Sequence, residues 1–398
     1  MQLRVYRNED HKPLARLGSM AFGESVGAWE EYFDPRRNPL LDPEQVHIVE
    51  ENGEVRASAT VLPMEVFVDG EPRPMGGVAA VMVHPAYRRR GYAGILMRAV
   101  LRDMRERGVA LSMLSPFAHA FYRSFGYELT MEAIEYDLKP TDLPSSAEQS
   151  HLRAYREEDQ PRLMELLENE AAGHPVCVRR SEGRWHQLLG SGKPESDVQG
   201  DRIVVYERDD VDGYLIYKMS GVREEREPER VLDASELVAR TPEARAALVS
   251  FMAALDPLIF GVRYSTPRGE PLHPYLRSSY VDAKVEPDQM LRLIDVEASL
   301  GYLSRRMDEP LVLEVSDDAI PENAGEYTLA NGDVTRGVQA SERVALDVRQ
   351  LAQLYAGYSS VRQLERYGLV RASSDAALAA LEALFPVGDP WVFPQDHF

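Results

Sequence analysis

Residues 81–98 read Val81-Met82-Val83-His84-Pro85-Ala86-Tyr87-Arg88-Arg89-Arg90-Gly91-Tyr92-Ala93-Gly94-Ile95-Leu96-Met97-Arg98. An apolar run of short and β-branched residues, Val78 to Val83, is stopped by Pro85, and a helical pattern begins after the basic turn. The order is strand, loop, helix. Inside the loop, Arg88-x-x-Gly91-x-Ala93 places three arginines beside two residues with almost no side chain. Backbone N–H groups in such a loop can close on an anion, because the first turn of a helix has unpaired donors and the positive end of its dipole. The stretch lacks the Gly-Lys-Ser/Thr ending of a Walker loop and is not the Gly-x-Gly-x-x-Gly of dinucleotide folds.

Upstream, Leu3-Arg4-Val5-Tyr6-Arg7-Asn8-Glu9-Asp10 predicts a strand and a polar helix start, and Leu14, Leu17 and Met20 continue the helix. Val46 to Ser58 holds two strand-like runs around Asn52-Gly53, the strongest hairpin signal in the chain, and Thr60 to Val68 continues as a strand to the Asp69-Gly70 turn. Downstream of the helix Ile95–Met104, Val109 to Leu114 predicts a buried strand, and Ala118 to Phe125 a short helix before Gly126-Tyr127.

Leu138 to Ser150 is rich in Pro, Ser and acidic residues and reads as a linker. The opening pattern then returns. Leu152-Arg153-Ala154-Tyr155-Arg156-Glu157-Glu158-Asp159 matches residues 3–10 at six of eight positions, all in register, which points to a second copy of the first domain. Its hairpin would be Ile203–Arg208 and Tyr214–Tyr217. The basic loop is missing, since Val231–Val238 leads to a helix near Thr241-Pro242 with no Arg-x-x-Gly-x-Ala turn, so this copy is expected to hold no pyrophosphate. From Met290 the texture changes. Leu311–Val315 is a strand, Asn331-Gly332 a turn, and Val348–Tyr355 and Ala376–Leu384 are helices spaced for a core, before the aromatic stretch Trp391 to Phe398.

The chain has 398 residues, enough for two or three domains, with 44% hydrophobic and 28% charged residues. No apolar run reaches membrane-spanning length and the first residues lack a signal-peptide pattern, so a cytoplasmic location is expected. The single cysteine, Cys177, excludes an internal disulfide and a thiolate-rich zinc site, and no metal is expected. A net charge of −20 argues against nucleic acid and anionic membranes as partners and suits a cationic substrate.

The loop resembles the pyrophosphate loop of the GNAT superfamily of acyl-CoA-dependent N-acyltransferases, and Phe121-Tyr122-Arg123-Ser124-Phe125-Gly126-Tyr127 resembles the Phe-Tyr-x-x-x-Gly-Phe/Tyr segment near the end of GNAT domains. Two such domains, the second degraded, followed by a final domain with an aromatic terminus are similar to the Eis (enhanced intracellular survival) acetyltransferases. The resemblance implies an α+β chain: a GNAT domain at 1–145, a degenerate GNAT-like domain at 150–287, each a mixed sheet flanked by helices, and a sterol-carrier-protein-like domain at 288–398. It also implies acetyl-CoA as donor, a cationic amine such as an aminoglycoside or polyamine as acceptor, and a homohexamer.

By the matching motifs, the backbone of Val81, Met82 and Val83 would pair with the pantetheine arm, and Arg89, Arg90, Gly91, Tyr92, Ala93 and Gly94 would hold the pyrophosphate. Phe117 and Ala118 would line the other side of the cofactor, with Phe117 a departure from the small or polar residues usual there. The resemblance makes the Tyr122 phenol the general acid and the α-carboxylate of Phe398 the general base. Ordinary pKa values of about 10 and about 3.5 suit these roles at neutral pH. Plainer readings stand beside these: Tyr127 is a rival for Tyr122, and Phe398 could be only a buried anchor. Asp396 and Glu24 are candidates to make the pocket acidic. His84 reads as structural, and His397 is a further candidate base. A different class of function, an acyl-CoA or lipid-binding scaffold without turnover, is the alternative.

Overall fold

The computed structural model describes residues 1–189, 202–222, 229–255, 259–303, 309–337 and 340–398. Two compact units divide the chain: one holds residues 1–130, 289–388 and Phe398, the other 131–288 and 389–397.

The first unit opens with β1 (Gln2–Val5), α1 (His11–Phe22), α2 (Val26–Tyr32), β2 (Val46–Glu51), β3 (Glu54–Val68), β4 (Glu71–Val83), α3 (Tyr92–Glu106), β5 (Leu111–Leu114), α4 (His119–Arg123) and β6 (Glu128–Leu129). Asn52 and Gly53 take φ of 56° and 76°, as a two-residue hairpin turn requires, and join β2 to β3. The runs expected on either side of Ala59 form one strand of 15 residues. Its centre is buried on both faces because helices cover both. Ala57, Ala59 and Val61 pack with Leu96, Met97, Val100 and Met104, spaced along one face of α3. On the other side Ile48 and Met82 pack with Leu14 and Leu17 of α1. The strands run β1, β2, β3, β4, β5, then Met290–Leu293, then β6.

That order carries a finding about boundaries. Met290–Leu293, grouped with the third domain by sequence, lies antiparallel between β5 and β6. In the second unit the strand Glu132–Leu138, which sequence placed at the end of the first domain, lies between Gly261–Pro267 and Asp282–Pro287. Each copy therefore receives one sheet strand from the stretch of sequence that follows the other copy.

The second unit repeats the first in plan, with strands Leu152–Ala154, Arg202–Glu207, Val211–Val222, Glu229–Ala239 and Gly261–Pro267 adjacent in that order and the helix Pro242–Ala254 after the fourth. Two of the six repeated identities, the first arginine and the aspartate, have a direct physical cause. Arg4 forks onto Asp10 at 2.6 and 2.8 Å and reaches Glu50 at 2.7 Å, while the Asp10 carboxylate also accepts from Arg7 N at 2.7 Å. Arg153 forks onto Asp159 at 2.7 and 2.8 Å and reaches Glu207, and Asp159 accepts from Arg156 N at 2.8 Å. In both copies this fork ties the first strand to the start of the first helix.

The remaining part of the first unit is a five-stranded sheet, with Leu311–Ser316 central between Gly325–Ala330 and a parallel Glu342–Asp347. Helices Val348–Tyr355 and Asp375–Leu384 match the expected spans to within one residue. Among the described residues no helix is long and apolar enough to cross a membrane.

Breaking either fork leaves a largely buried guanidinium with one carboxylate partner in place of two. Asp10→Ala and Asp159→Ala are each expected to cost about 3 kcal/mol in chemical denaturation. Hydrogen bonds from Arg153 hold the Asp159 carboxyl below its ordinary value. Its contribution is therefore complete above the unfolded pKa of about 4 and is lost as pH falls through the lowered folded value. The difference in stability between wild type and Asp159→Ala should accordingly shrink on acidification below pH ~4.

Candidate active site

β4 pairs in parallel with β5 only at Met75, Gly76 and Gly77. Beyond Gly77 the two strands part. The opposite edge of β4 remains paired to β3, with a register shift between Ala79 and Met82 where Ala80 takes φ of 47°. A bulge of this kind turns the strand locally, and alanine tolerates the left-handed conformation better than a β-branched residue would. Val81 and Val83 are half-buried and Met82 is fully buried. The segment thus offers a strand edge without a ladder toward β5, which an extended ligand arm can join by main-chain hydrogen bonds.

The basic loop follows directly. His84 Nδ1 accepts from Ala86 N at 3.2 Å, so this histidine caps a turn, as its place at the strand end suggested. Arg89 and Gly91 take φ of 63° and 84°, and Gly91 is the N-cap of α3. The helix makes its first bond from Ile95 N to Gly91 O, so the N–H groups of Tyr92, Ala93 and Gly94 lie in the unpaired first turn. Arg88, Arg89 and Arg90 are exposed around it. The Tyr92 side chain is buried with its hydroxyl donating to Glu51 at 3.0 Å, so Tyr92 offers its backbone only. Unpaired N–H groups, a helix N-terminus and three guanidinium groups form a donor set that fits a diphosphate.

At the apex of the gap between β4 and β5 two glycines make room. A Cβ on Gly76 would lie 2.3 Å from Met104 Sδ, and one on Gly77 would lie 2.8 Å from both Met64 Sδ and Cε2 of Phe398. The ring of Phe398 therefore rests on the last β4 residue paired to β5. Ser112 of β5 donates to Gly76 O at 2.7 Å, which leaves its oxygen to accept from the Tyr127 hydroxyl, also at 2.7 Å. Tyr127 is fully buried and its proton is committed to this chain, so the rival to Tyr122 is a structural residue.

Tyr122 stands 6.2 Å from Tyr127, ring centre to ring centre, and edge-on to Phe117 at 5.2 Å. Its ring is 3% exposed, and its hydroxyl has no hydrogen-bond partner among the described residues. Burial, with the neighbouring Tyr127, raises its pKa above the ordinary value, so the phenol keeps its proton. Phe117 is 69% exposed and caps the aromatic group, while Ala118 is the N-cap of α4. Tyr122, Phe117, Ala118, Gly77 and Phe398 thus belong to one unit around β5 and its following turn.

Three expectations about acidic and basic groups change. Asp396 is not a free pocket carboxylate, since Arg180 forks onto both of its oxygens at 2.7 and 2.8 Å and the side chain is 2% exposed. Glu24 is exposed. The His397 imidazole lies 3.3 Å from Asp288; burial lowers its pKa, but the hydrogen bond to Asp288, the charges of Asp288 and Asp396 and a backbone hydrogen bond at Val392 together outweigh this and hold it above the ordinary value, which disfavours a free base. Sequence reading also passed over Gly76-Gly77, Ala80 and Arg180. Small residues in an otherwise β-branched strand were the available signal for the first three positions. Nothing local marks Arg180, whose partners are 56 and 216 residues away.

Residues 2–130 and 176–293 match two family models described as the acetyltransferase (GNAT) domain, and 296–393 match the sterol carrier protein domain. An uncharacterized N-acetyltransferase of Streptomyces avermitilis is 28% identical over 337 residues, covering 81% of this chain and 82% of that protein. An uncharacterized N-acetyltransferase of Streptomyces coelicolor is 28% identical over 341 residues, covering 79% of each. Two solved structures share the fold over the full length of both chains: a GCN5-related N-acetyltransferase from Anabaena variabilis, with TM-score 0.85 and 23% identity, and Eis1 from Mycobacterium abscessus, with TM-score 0.79 and 24% identity.

The packing at Gly77 makes a testable demand. Gly77→Ala must displace the Phe398 ring or Met64, at an expected cost of about 1–3 kcal/mol from overpacking, read as a lowered melting temperature. An unchanged melting temperature would place the ring elsewhere.

Proposed function

We propose that this chain, which matches GNAT acetyltransferase domain models over 2–130 and 176–293 and shares the fold of Eis1, transfers acetyl from acetyl-CoA to an amine of a cationic acceptor of the aminoglycoside or polyamine kind. The observation that carries the reading is the seat of Phe398 against Gly77, where β4 and β5 part, in the same unit as Tyr122. The net charge of −20 favours a cationic acceptor. Acetyl-CoA supplies an activated thioester when bound.

On this reading the backbone of Val81, Met82 and Val83 aligns the cofactor arm as a neighbouring strand would. The loop of Arg89, Arg90, Gly91, Tyr92, Ala93 and Gly94 holds its diphosphate, and Phe117 and Ala118 border its other side. The Phe398 carboxylate attracts the substrate ammonium and takes its proton, directly or through one water, so that the amine attacks as a neutral nucleophile. The Tyr122 hydroxyl gives its proton to the departing thiolate, which its partner-free state leaves it able to do. The Val83 N–H polarises the thioester oxygen on this reading. The Eis-like resemblance extends the proposal to a cytoplasmic homohexamer.

Steady-state kinetics with acetyl-CoA and a panel of amines tests the assignments. Tyr122→Phe, and separately one residue added after Phe398, should each lower kcat by on the order of a hundredfold. Because the Tyr122 phenol titrates above its ordinary value, the wild-type rate should not decline from loss of this acid until above pH ~10. Wild-type turnover in both variants would overturn the roles. Sedimentation velocity should give a single hexameric species, and a monomer would remove that part of the proposal.

A further inference from the structure

The second copy keeps the parting of strands that makes the cofactor cleft in the first. Glu229–Ala239 pairs in parallel with Gly261–Pro267 from Val231 to Ala234 and no further, and a register shift against Val211–Val222 falls at Ser235, directly after the pairing ends. The same two features, a short parallel ladder and then a bulge, occur at Gly77 and Ala80. The loop that would hold a diphosphate is absent, and Thr241 caps the next helix through its side chain instead.

The gap in the second copy is occupied by residues 389–397 of the same unit. Trp391, Val392 and Phe393 are at most 5% exposed, and Trp391 N donates to Val176 O at 3.1 Å. Gln395 Nε2 donates to Ser235 Oγ, the bulge residue, at 2.7 Å, and its carbonyl accepts from Arg184 at 2.8 Å. Arg180, 1% exposed, is shared between Asp396 and Glu236, the residue after the bulge, and Tyr214 donates to Glu236 at 2.7 Å. The Arg180 guanidinium also lies 4.5 Å from the ring centre of Trp185. What remains of the gap is a cavity of about 20 Å³ beside Glu170, His174 and Tyr264, room for one water.

We propose that the second copy has exchanged cofactor binding for a clamp on the chain's own C-terminal segment, with Arg180 the positioning residue that fixes, through Asp396, the backbone two residues before the terminal carboxylate. This rests on the reading of Phe398 as the base. A group that acts from a free chain end would otherwise lose rate to the many conformations of a frayed terminus, and a buried fork with two carboxylates removes that freedom.

The test uses the full-length protein with acetyl-CoA and an accepted amine. Arg180→Met should lower kcat at least tenfold with the KM for acetyl-CoA within twofold of wild type, because the loop at Arg89–Gly94 is untouched. Arg180→Lys should recover part of the loss, and hydrogen exchange at 389–397 should quicken in proportion. Should Arg180→Met fail to fold, Gln395→Ala, which removes only the bond to Ser235, should show the same split at a few-fold scale. A kcat unchanged in a folded variant whose 389–397 amides exchange faster overturns the positioning role while leaving the base assignment intact. A parallel loss of acetyl-CoA binding and turnover overturns it in favour of a general structural role. A chain extended beyond Phe398 that turns over normally removes the base assignment itself, and the positioning role with it.

Discussion

Two parallel strands that pair for three residues and then separate set the terms for the rest of this protein. Once β4 and β5 part at Gly77, the polar groups of one β4 edge need partners that the sheet does not provide. A parallel strand normally lies deep within its sheet, so a gap there is a buried, shaped opening lined with unused donors and acceptors. The bulge at Ala80 lies just beyond Gly77, and the turn at Gly91 starts the helix that follows the strand. Rigid elements thus do the positioning, and few side chains are needed.

Duplication makes the division of labour visible. Both copies retain the arginine–aspartate fork near the start, because without it a short edge strand and the first helix would have little to hold them together. Both retain the separated strands. Only the first retains the basic loop, and in the second residues 389–397 border the opening. The fork and the parted strands were kept in both, while the loop between strand and helix diverged.

The elements legible in the sequence were those with local causes. Asn52-Gly53 demands positive φ, Pro85 stops a strand, and the spacing of Val348–Tyr355 follows a helical period; each appears in the structure where its residues put it. The repeat was legible because its identities answer one packing problem twice. Illegible were relations across long separations. Nothing in Met290–Leu293 says that it belongs beside Leu111–Leu114, since an apolar run of four fits any sheet edge. Arg180 looks like any surface arginine until Glu236 and Asp396 surround it. Of the candidate site, the turn and the aromatic motif could be read directly, whereas the demotion of Tyr127 depended on Ser112, whose hydroxyl shows its role only in three dimensions.

The strand Met290–Leu293, inserted between β5 and β6, has a consequence for biosynthesis. A ribosome delivers residues 1–130 long before it delivers this strand, so the nascent first sheet waits with an open seam while the entire second copy is made. Closing that seam joins segments more than 160 residues apart, a slow kind of contact to form and an edge exposed to mispairing in the meantime. The first copy is therefore not a finished folding unit when its own stretch of polypeptide has left the exit tunnel, whereas the strand that the second copy borrows, Glu132–Leu138, is already made when that copy emerges.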